Sequence, residues 1–311
     1  MKILVTGGCG NIGKYMVEVF SKKGHRQKVV DIDKEGLEKL DFPNVETLAG
    51  DISDREFIFE AVKDMDAIVH LAWSFSNDPM ELFDVDVRGY VNLLDAALEF
   101  GVEHVVNAST AVAYGKPQYS PVDEKHPRIV EEARKPMYAL AKLATEKLSQ
   151  IYALEHDMAI NSVMIWYAYA EEIGGKHLRS MIREAMVEGV IEIPADSGGS
   201  FLQLDDFISG LEGIFEHKPK GKMFNFGTVY LTWEELAEII IAKANPKAKV
   251  KAIPKDQWTG STFLTDDWQF TCEKAEKMLG FKTRFTKGEA VEHLGRALEA
   301  CIAEVKQDMA D

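Results

Sequence analysis

Residues 2–13 read KILVTGGCGNIG: an aliphatic run of five residues, then glycines spaced GxxGxxG at Gly7, Gly10 and Gly13, then the opening of a helical pattern. A strand that turns directly into a helix through such a loop is built to hold a dinucleotide. Gly7 permits the tight turn, Gly10 lets the backbone approach a pyrophosphate, and Gly13 allows the helix to pack close to the sheet. The helix N-terminus, opened by Asn11 and Ile12, then faces the anion. Asp31 ends the second β-rich run, QKVVDID at 27–33. An acid there grips a ribose 2′-hydroxyl and repels a 2′-phosphate. No arginine follows it in IDKEG, so the expected cofactor is NAD rather than NADP.

Outward from this loop, β-rich and helical runs keep alternating. A helix over 11–23 is followed by the second strand, then by VETLAGDI, DAIVHL, a long helix ending near Phe100, EHVVN, a helix over 136–155 and AINSVMI. Each parallel return needs a crossover, so this order predicts a doubly wound parallel sheet of Rossmann type with helices on both faces. Asp51 and Ile52 follow the third strand, and Leu71 and Ala72 follow the fourth. Both pairs are candidates to flank the adenosine, and both also fit a helix cap beside a core residue. Cys9, inside the glycine loop, is expected to be a small buried filler.

The alternation loosens after Trp166, where Gly174, Gly175, Gly198 and Gly199 punctuate the chain and helices recur over 176–188, 205–217, 232–244 and 288–306. The expected division is a cofactor-binding domain over 1–168 and a smaller α+β substrate domain over 169–204 and 229–311, with 205–228 returning to the first sheet. The basic run KANPKAKVKAIPK at 243–255 reads as a solvated edge strand with its turn.

At 311 residues with 46% hydrophobic and 28% charged residues, the chain has the composition of a folded globular protein. The 36 Lys and Arg against 51 Asp and Glu leave a net charge of -15, which repels a phosphate backbone, so no nucleic-acid partner is expected. Cys9, Cys272 and Cys301 are few and far apart, so neither a disulfide frame nor a thiolate metal site is expected. No metal, no membrane span and no export signal are expected, and a cytoplasmic location fits best.

Tyr138 and Lys142 form YALAK at the start of an alanine-rich helix. A spacing of four residues puts both on one helical face. A free tyrosine titrates near ~10, and a lysine one turn along supplies a charge that stabilises the phenolate, giving a usable general base. Thr110 ends the fifth strand in NASTAVAYG, on the side of the sheet that opens into the cofactor crevice. Its hydroxyl is a candidate to hydrogen-bond a substrate oxygen while Tyr138 moves the proton.

TGGCGNIG, Asp31, GDI, HLA, STAVAYG and YALAK, in this order and spacing, resemble the extended short-chain dehydrogenase/reductase family, the NAD-dependent epimerase/dehydratase group. DVDVRGYVNLLDAA, LDDFISGL, FNFGTVYLTWEELAEII and CEKAEKMLGFKTR resemble its later landmarks. The resemblance implies hydride exchange between bound NAD and a carbinol carbon, with Thr110, Tyr138 and Lys142 in the catalytic positions. It also implies a homodimer built from the helices holding residues 89–100 and 138–155.

The chain departs from the family where a sugar nucleotide is usually held. In MIWYAYAEE, Trp166 replaces the usual arginine, Tyr169 stands at the expected asparagine, and Glu171 and Glu172 replace Gly-Pro. Gly199 lies where an arginine often meets the diphosphate, Gln203 replaces a common histidine, and PKDQWTGSTFLTDDW contains no arginine. These changes remove the cations that neutralise a diphosphate. A small polar or sugar-like substrate suits an aromatic pocket of Trp73, Phe75, Trp166 and Tyr169 better, although each ring also fits ordinary core packing. Ala111 and Val112 after Thr110 replace the Asp-Glu pair of 4,6-dehydratases, and Asp86 replaces a common asparagine near the nicotinamide ribose. The leading expectation is an NAD-dependent oxidoreductase acting on a non-nucleotide secondary alcohol or ketone. The alternatives are a redox-neutral nucleotide-sugar 4-epimerase with retained NAD and a non-catalytic NAD-sensing regulator.

Overall fold

The computed structural model describes residues 1–310. The first half alternates without interruption: β1 (Lys2–Thr6), α1 (Asn11–Lys22), β2 (Arg26–Asp31), α2 (Lys34–Glu38), β3 (Val45–Ala49), α3 (Arg55–Val62) and β4 (Ala67–His70). A short α4 (Pro79–Glu81) runs through a π-helical turn, Leu82–Arg88, into α5 (Gly89–Glu99). Next come β5 (His104–Thr110), α6 (Pro136–His156), β6 (Ala159–Ile165) and β7 (Tyr167–Tyr169). The second half holds α7 (Lys176–Arg183), β8 (Val190–Pro194), β9 (Gly198–Gln203), α8 (Leu204–His217), β10 (Lys222–Asn225) and β11 (Val229–Thr232). It ends with α9 (Trp233–Ala244), β12 (Lys249–Ile253), β13 (Asp267–Trp268), α10 (Glu273–Leu279) and α11 (Lys287–Asp308).

Seven strands form one sheet in the order β10-β6-β5-β4-β1-β2-β3, and every pairing is parallel. The inner strands β1, β4, β5 and β6 are buried almost throughout, as a sheet covered on two faces requires, while the edge strand β3 is largely exposed. One face packs on α1 and α8 through Met16, Val17, Phe20, Phe207 and Leu211, and the other on α3 and α5 through Ile58, Val62, Leu93 and Leu94. The winding direction reverses between β1 and β4. A crevice opens at such a switch point, beyond the carboxyl ends of the strands, and that is where ligands bind in open α/β sheets.

β10 brings the chain back to the edge of this sheet beside β6. The rest of the second half builds a smaller unit, in which β9 pairs with β7, β11 and β13, and β8 pairs with β12. Its separate core gathers Leu178, Phe201, Trp233, Leu236, Leu294 and Leu298 from strands and from α7, α9 and α11. The helix expected over 176–188 is helical throughout but changes to a π-helical turn at Glu184–Glu188. No helix among the described residues is long and apolar enough to cross a membrane.

Candidate active site

The glycine loop adopts the geometry its spacing predicts. Gly7 has φ +74°, and a Cβ there would lie 2.5 Å from the backbone nitrogen of Ala72. A Cβ at Gly13 would lie 2.4 Å from the Gly7 carbonyl oxygen, so the turn and the helix close on each other only because both side chains are absent. Asp31 sits at the end of β2 with its carboxylate facing the loop. The Cys9 N–H donates to one carboxylate oxygen at 2.8 Å, and the Asp33 N–H donates to the other at 3.0 Å. These bonds fix the acid while leaving lone pairs on both oxygens.

Gly7, Gly10, Asp31, Asp51, Ile52, Leu71 and Ala72 line one crevice of about 390 Å³, together with Trp73, Ser74, Phe75 and Asp86. Asn11 and Ile12 do not line it: they open a neighbouring groove between α1 and residues 168–175. The crevice fits NAD, since it offers close backbone approach at Gly7 and Gly10 and a carboxylate at Asp31. The Trp73 indole N–H is buried without an acceptor, a donor available to a bound group. Burial and the nearby Asp31 and Asp33 push the Cys9 thiol up to about 11, opposite to the shift that makes a reactive thiolate.

Pro136 opens α6 at a position where its missing N–H costs nothing. Two residues later comes Tyr138, near Thr110, the last residue of β5. Burial pushes the Tyr138 phenol up to about 12, while Thr110 and the charge of Arg134 pull it down. Lys142, one turn further, donates from Nζ to the Ala108 carbonyl at 2.8 Å. Burial pushes Lys142 down to about 7, with the Asp86 and Glu146 carboxylates acting in the opposite sense. Arg134, which carries no periodic signal because it precedes the helix, adds its charge on Tyr138 to this arrangement.

Two of the four expected pocket aromatics reach this pair. Trp73 meets Tyr138 edge-on with centroids 5.6 Å apart, and Phe75 stacks on Tyr138 at 6.4 Å with planes 21° apart. The loop carrying them is tied to Asp86, which is buried in the π-helical turn. The Ser74 N–H and hydroxyl donate to its two carboxylate oxygens at 2.8 and 2.7 Å. Phe75 has φ +53° and is 71% exposed. Asp86 thus holds the loop over the crevice.

Behind Lys142, the Ser109 hydroxyl donates to buried Glu146, and Arg128 lies 3.4 Å from the same carboxylate. The spacing Tyr138, Lys142, Glu146 continues the four-residue rhythm, so Glu146 was findable from sequence as the next residue on that face.

The other two aromatics are used differently. Tyr169 is 1% exposed, and its hydroxyl donates to the Ala290 carbonyl at 3.3 Å. The side chain packs into the second core, where β7 pairs with β9, and the residue borders the groove beside Asn11 rather than the glycine-loop crevice. Trp166 follows Ile165, the register partner of Thr110, and packs against both the second core and the cluster under Ala111 and Tyr114. Its indole is stacked on Phe263 at 5.7 Å with planes 7° apart. A Cβ at Gly199 would lie 2.4 Å from that indole, so the ring occupies the volume of any side chain at 199. The Gln203 side chain caps α8 by accepting from the Asp205 N–H.

The sequence profile described as the NAD dependent epimerase/dehydratase family matches residues 3–227. A UDP-glucose 4-epimerase of Streptococcus mutans is 37% identical over 138 residues, 41% of this chain and 41% of that protein. A UDP-glucuronic acid decarboxylase of Arabidopsis thaliana is 25% identical over 270 residues, 81% of this chain and 77% of that protein. The epimerase match thus covers less than half the length of the relative. In fold, the chain is similar to a UDP-glucose 4-epimerase of Thermotoga maritima, with TM-score 0.77 at 21% identity and complete coverage of both chains. It is similar also to a dTDP-glucose 4,6-dehydratase of Streptomyces venezuelae, with TM-score 0.78 at 21% identity and 96% coverage of both. The chain belongs to the NAD-dependent epimerase/dehydratase family, enzymes of the extended short-chain dehydrogenase/reductase type.

Proposed function

We propose that this enzyme transfers a hydride between NAD and a secondary alcohol or ketone carbon of a small, sugar-like substrate that carries no nucleotide. The observation that carries the reading is that Trp73, on the wall of the glycine-loop crevice, touches both Tyr138 and Lys142. Asp31, Asp51, Ile52, Leu71 and Ala72 would hold the adenosine half of NAD, and Gly7 and Gly10 its pyrophosphate. Bound NAD supplies the hydride acceptor.

Tyr138 would take the proton of the substrate hydroxyl, and Thr110 would hold that oxygen by a hydrogen bond. Lys142, fixed by Ala108 and flanked by Asp86 and Glu146, would bind the ribose and supply positive charge. Trp73 and Phe75 shield the reacting oxygen from water. The absence of a nucleotide is supported by the Trp166 ring against Gly199 and by the enclosed Tyr169 side chain. Leu98 on α5 and Phe100 at its C-terminal end, with Met137, Leu140, Ile151 and Leu154 on α6, are exposed, which supports a homodimer across these helices.

A redox-neutral 4-epimerase with retained NAD is a second reading, favoured by the 37% identity to the Streptococcus mutans protein over 138 residues. The test is NADH formation by wild type and Tyr138→Phe on free sugars, sugar acids and small secondary alcohols. Net NADH that falls at least ~100-fold in the variant supports the dehydrogenase. Cofactor retained through purification with no net NADH, alongside nucleotide-sugar epimerisation, supports the second reading.

A further inference from the structure

We propose that Arg134 is a substrate-binding residue and that the substrate carries one carboxylate, as in a sugar acid or polyhydroxy acid. The inference rests on the reading of Tyr138 as the base and names the substrate class of that site.

Arg134 lies one turn before Tyr138 but outside α6, in the strap that leads into the helix. Its Nε donates to Asp266 at 3.0 Å, and its guanidinium carbon lies 4.7 Å from the centre of the Phe263 ring. The carboxylate and the ring fix the plane of the fork. The two Nη groups find no hydrogen-bond acceptor among the described residues, and the side chain is only 19% exposed. A guanidinium held at Nε and open at both Nη is arranged for bidentate recognition of a planar oxyanion.

The location suits a substrate group. Arg134 stands close enough to Tyr138 for its charge to lower the phenol. It lines a pocket of about 610 Å³ between the two units, with Gln118, Tyr119, Lys255, Thr262 and Thr265. Of the acids there, Asp266 is already paired with Arg134 and Asp267 accepts from the Tyr230 hydroxyl at 2.7 Å. Glu132 is exposed. On a chain of net charge -15, an anionic substrate needs a local cation. Arg134 and Lys255 supply it, while Trp166, stacked on Phe263, occupies the space beside Gly199. One carboxylate beside a hydroxyl-bearing carbon matches one open guanidinium whose charge reaches Tyr138.

The test is calorimetric titration of the NADH-loaded protein with glucuronate, glucose and glucose 1-phosphate, for wild type, Arg134→Gln and Arg134→Lys. Glucuronate is expected to bind at least about tenfold more tightly than glucose, the scale of a charge-assisted hydrogen bond. Arg134→Gln should erase that preference, and Arg134→Lys should restore part of it. NADH affinity should stay equal in all three. A probe independent of sugar structure is sodium acetate, which should raise the Tyr138 titration midpoint in wild type but not in Arg134→Gln, relative to sodium chloride. The proposal is overturned by equal binding of glucuronate and glucose, by no binding of any probe, by tighter binding of glucose 1-phosphate, or by acetate acting like chloride. Failure of the base assignment is separate: Tyr138→Phe would then keep both NADH formation and glucuronate binding.

Discussion

The Nζ of Lys142 lies 3.6 Å from the centre of the Trp73 ring, and the same nitrogen donates to Ala108. A desolvated cation against an indole face gains about 1–2 kcal/mol. Here that gain opposes the burial that drives Lys142 toward neutrality. Trp73→Leu should therefore slow alcohol oxidation at neutral pH by about five- to thirtyfold, the rate equivalent of that energy. Trp73→Phe, which keeps a ring face, should retain most of the rate. Steady-state NADH formation checks both, and an unchanged rate in Trp73→Leu would reduce the ring to packing.

Tyr138 imposes a direction on the pH profile. Its phenol is raised by burial, and oxidation requires the deprotonated form. Log kcat/KM for oxidation should therefore rise with a slope near one per pH unit below about pH 7, where Lys142 keeps its charge, and flatten above it. Reduction uses the protonated form and should stay flat over the same interval. A pH-independent oxidation rate would contradict the role.

Asp31 holds the Cys9 and Asp33 amides and faces the crevice. Asp31→Ala should weaken NAD more than NADP, changing the ratio of their dissociation constants at least about tenfold, the scale of hydrogen bonds to a charged group. Equilibrium titration with both cofactors measures the ratio. No change would remove the ribose assignment.

Glu146 and Arg128 are both enclosed, and removing one leaves the other charge without a partner. Glu146→Ala should cost about 3–5 kcal/mol in urea unfolding. Glu146→Gln, which keeps an acceptor for Ser109, should cost less. Equal losses would mean that volume rather than charge pairing matters there.

Legibility in the sequence followed the range of the interactions involved. The glycine turn, Asp31, and Tyr138 with Lys142 were readable because each is set by neighbours within a strand end or a helical turn. Asp86 stood out as a departure, yet its work in holding Ser74 depends on a π-helical turn that apolar periodicity does not announce. The surroundings of Tyr169 and Trp166 were not legible because they depend on β7 pairing with β9 and on Phe263, far along the chain. Arg134 was passed over because its partners, Asp266 and Phe263, lie far along the chain.

The account centres on a reaction site that excludes a nucleotide, and binding of UDP to the NAD-loaded protein tests it most directly. Calorimetric titration with UDP, and with ADP, GDP and dTDP in parallel, should give no detectable heat into the millimolar range. Binding near micromolar, worth about 8 kcal/mol, would contradict the account and bring the 4-epimerase reading to the front.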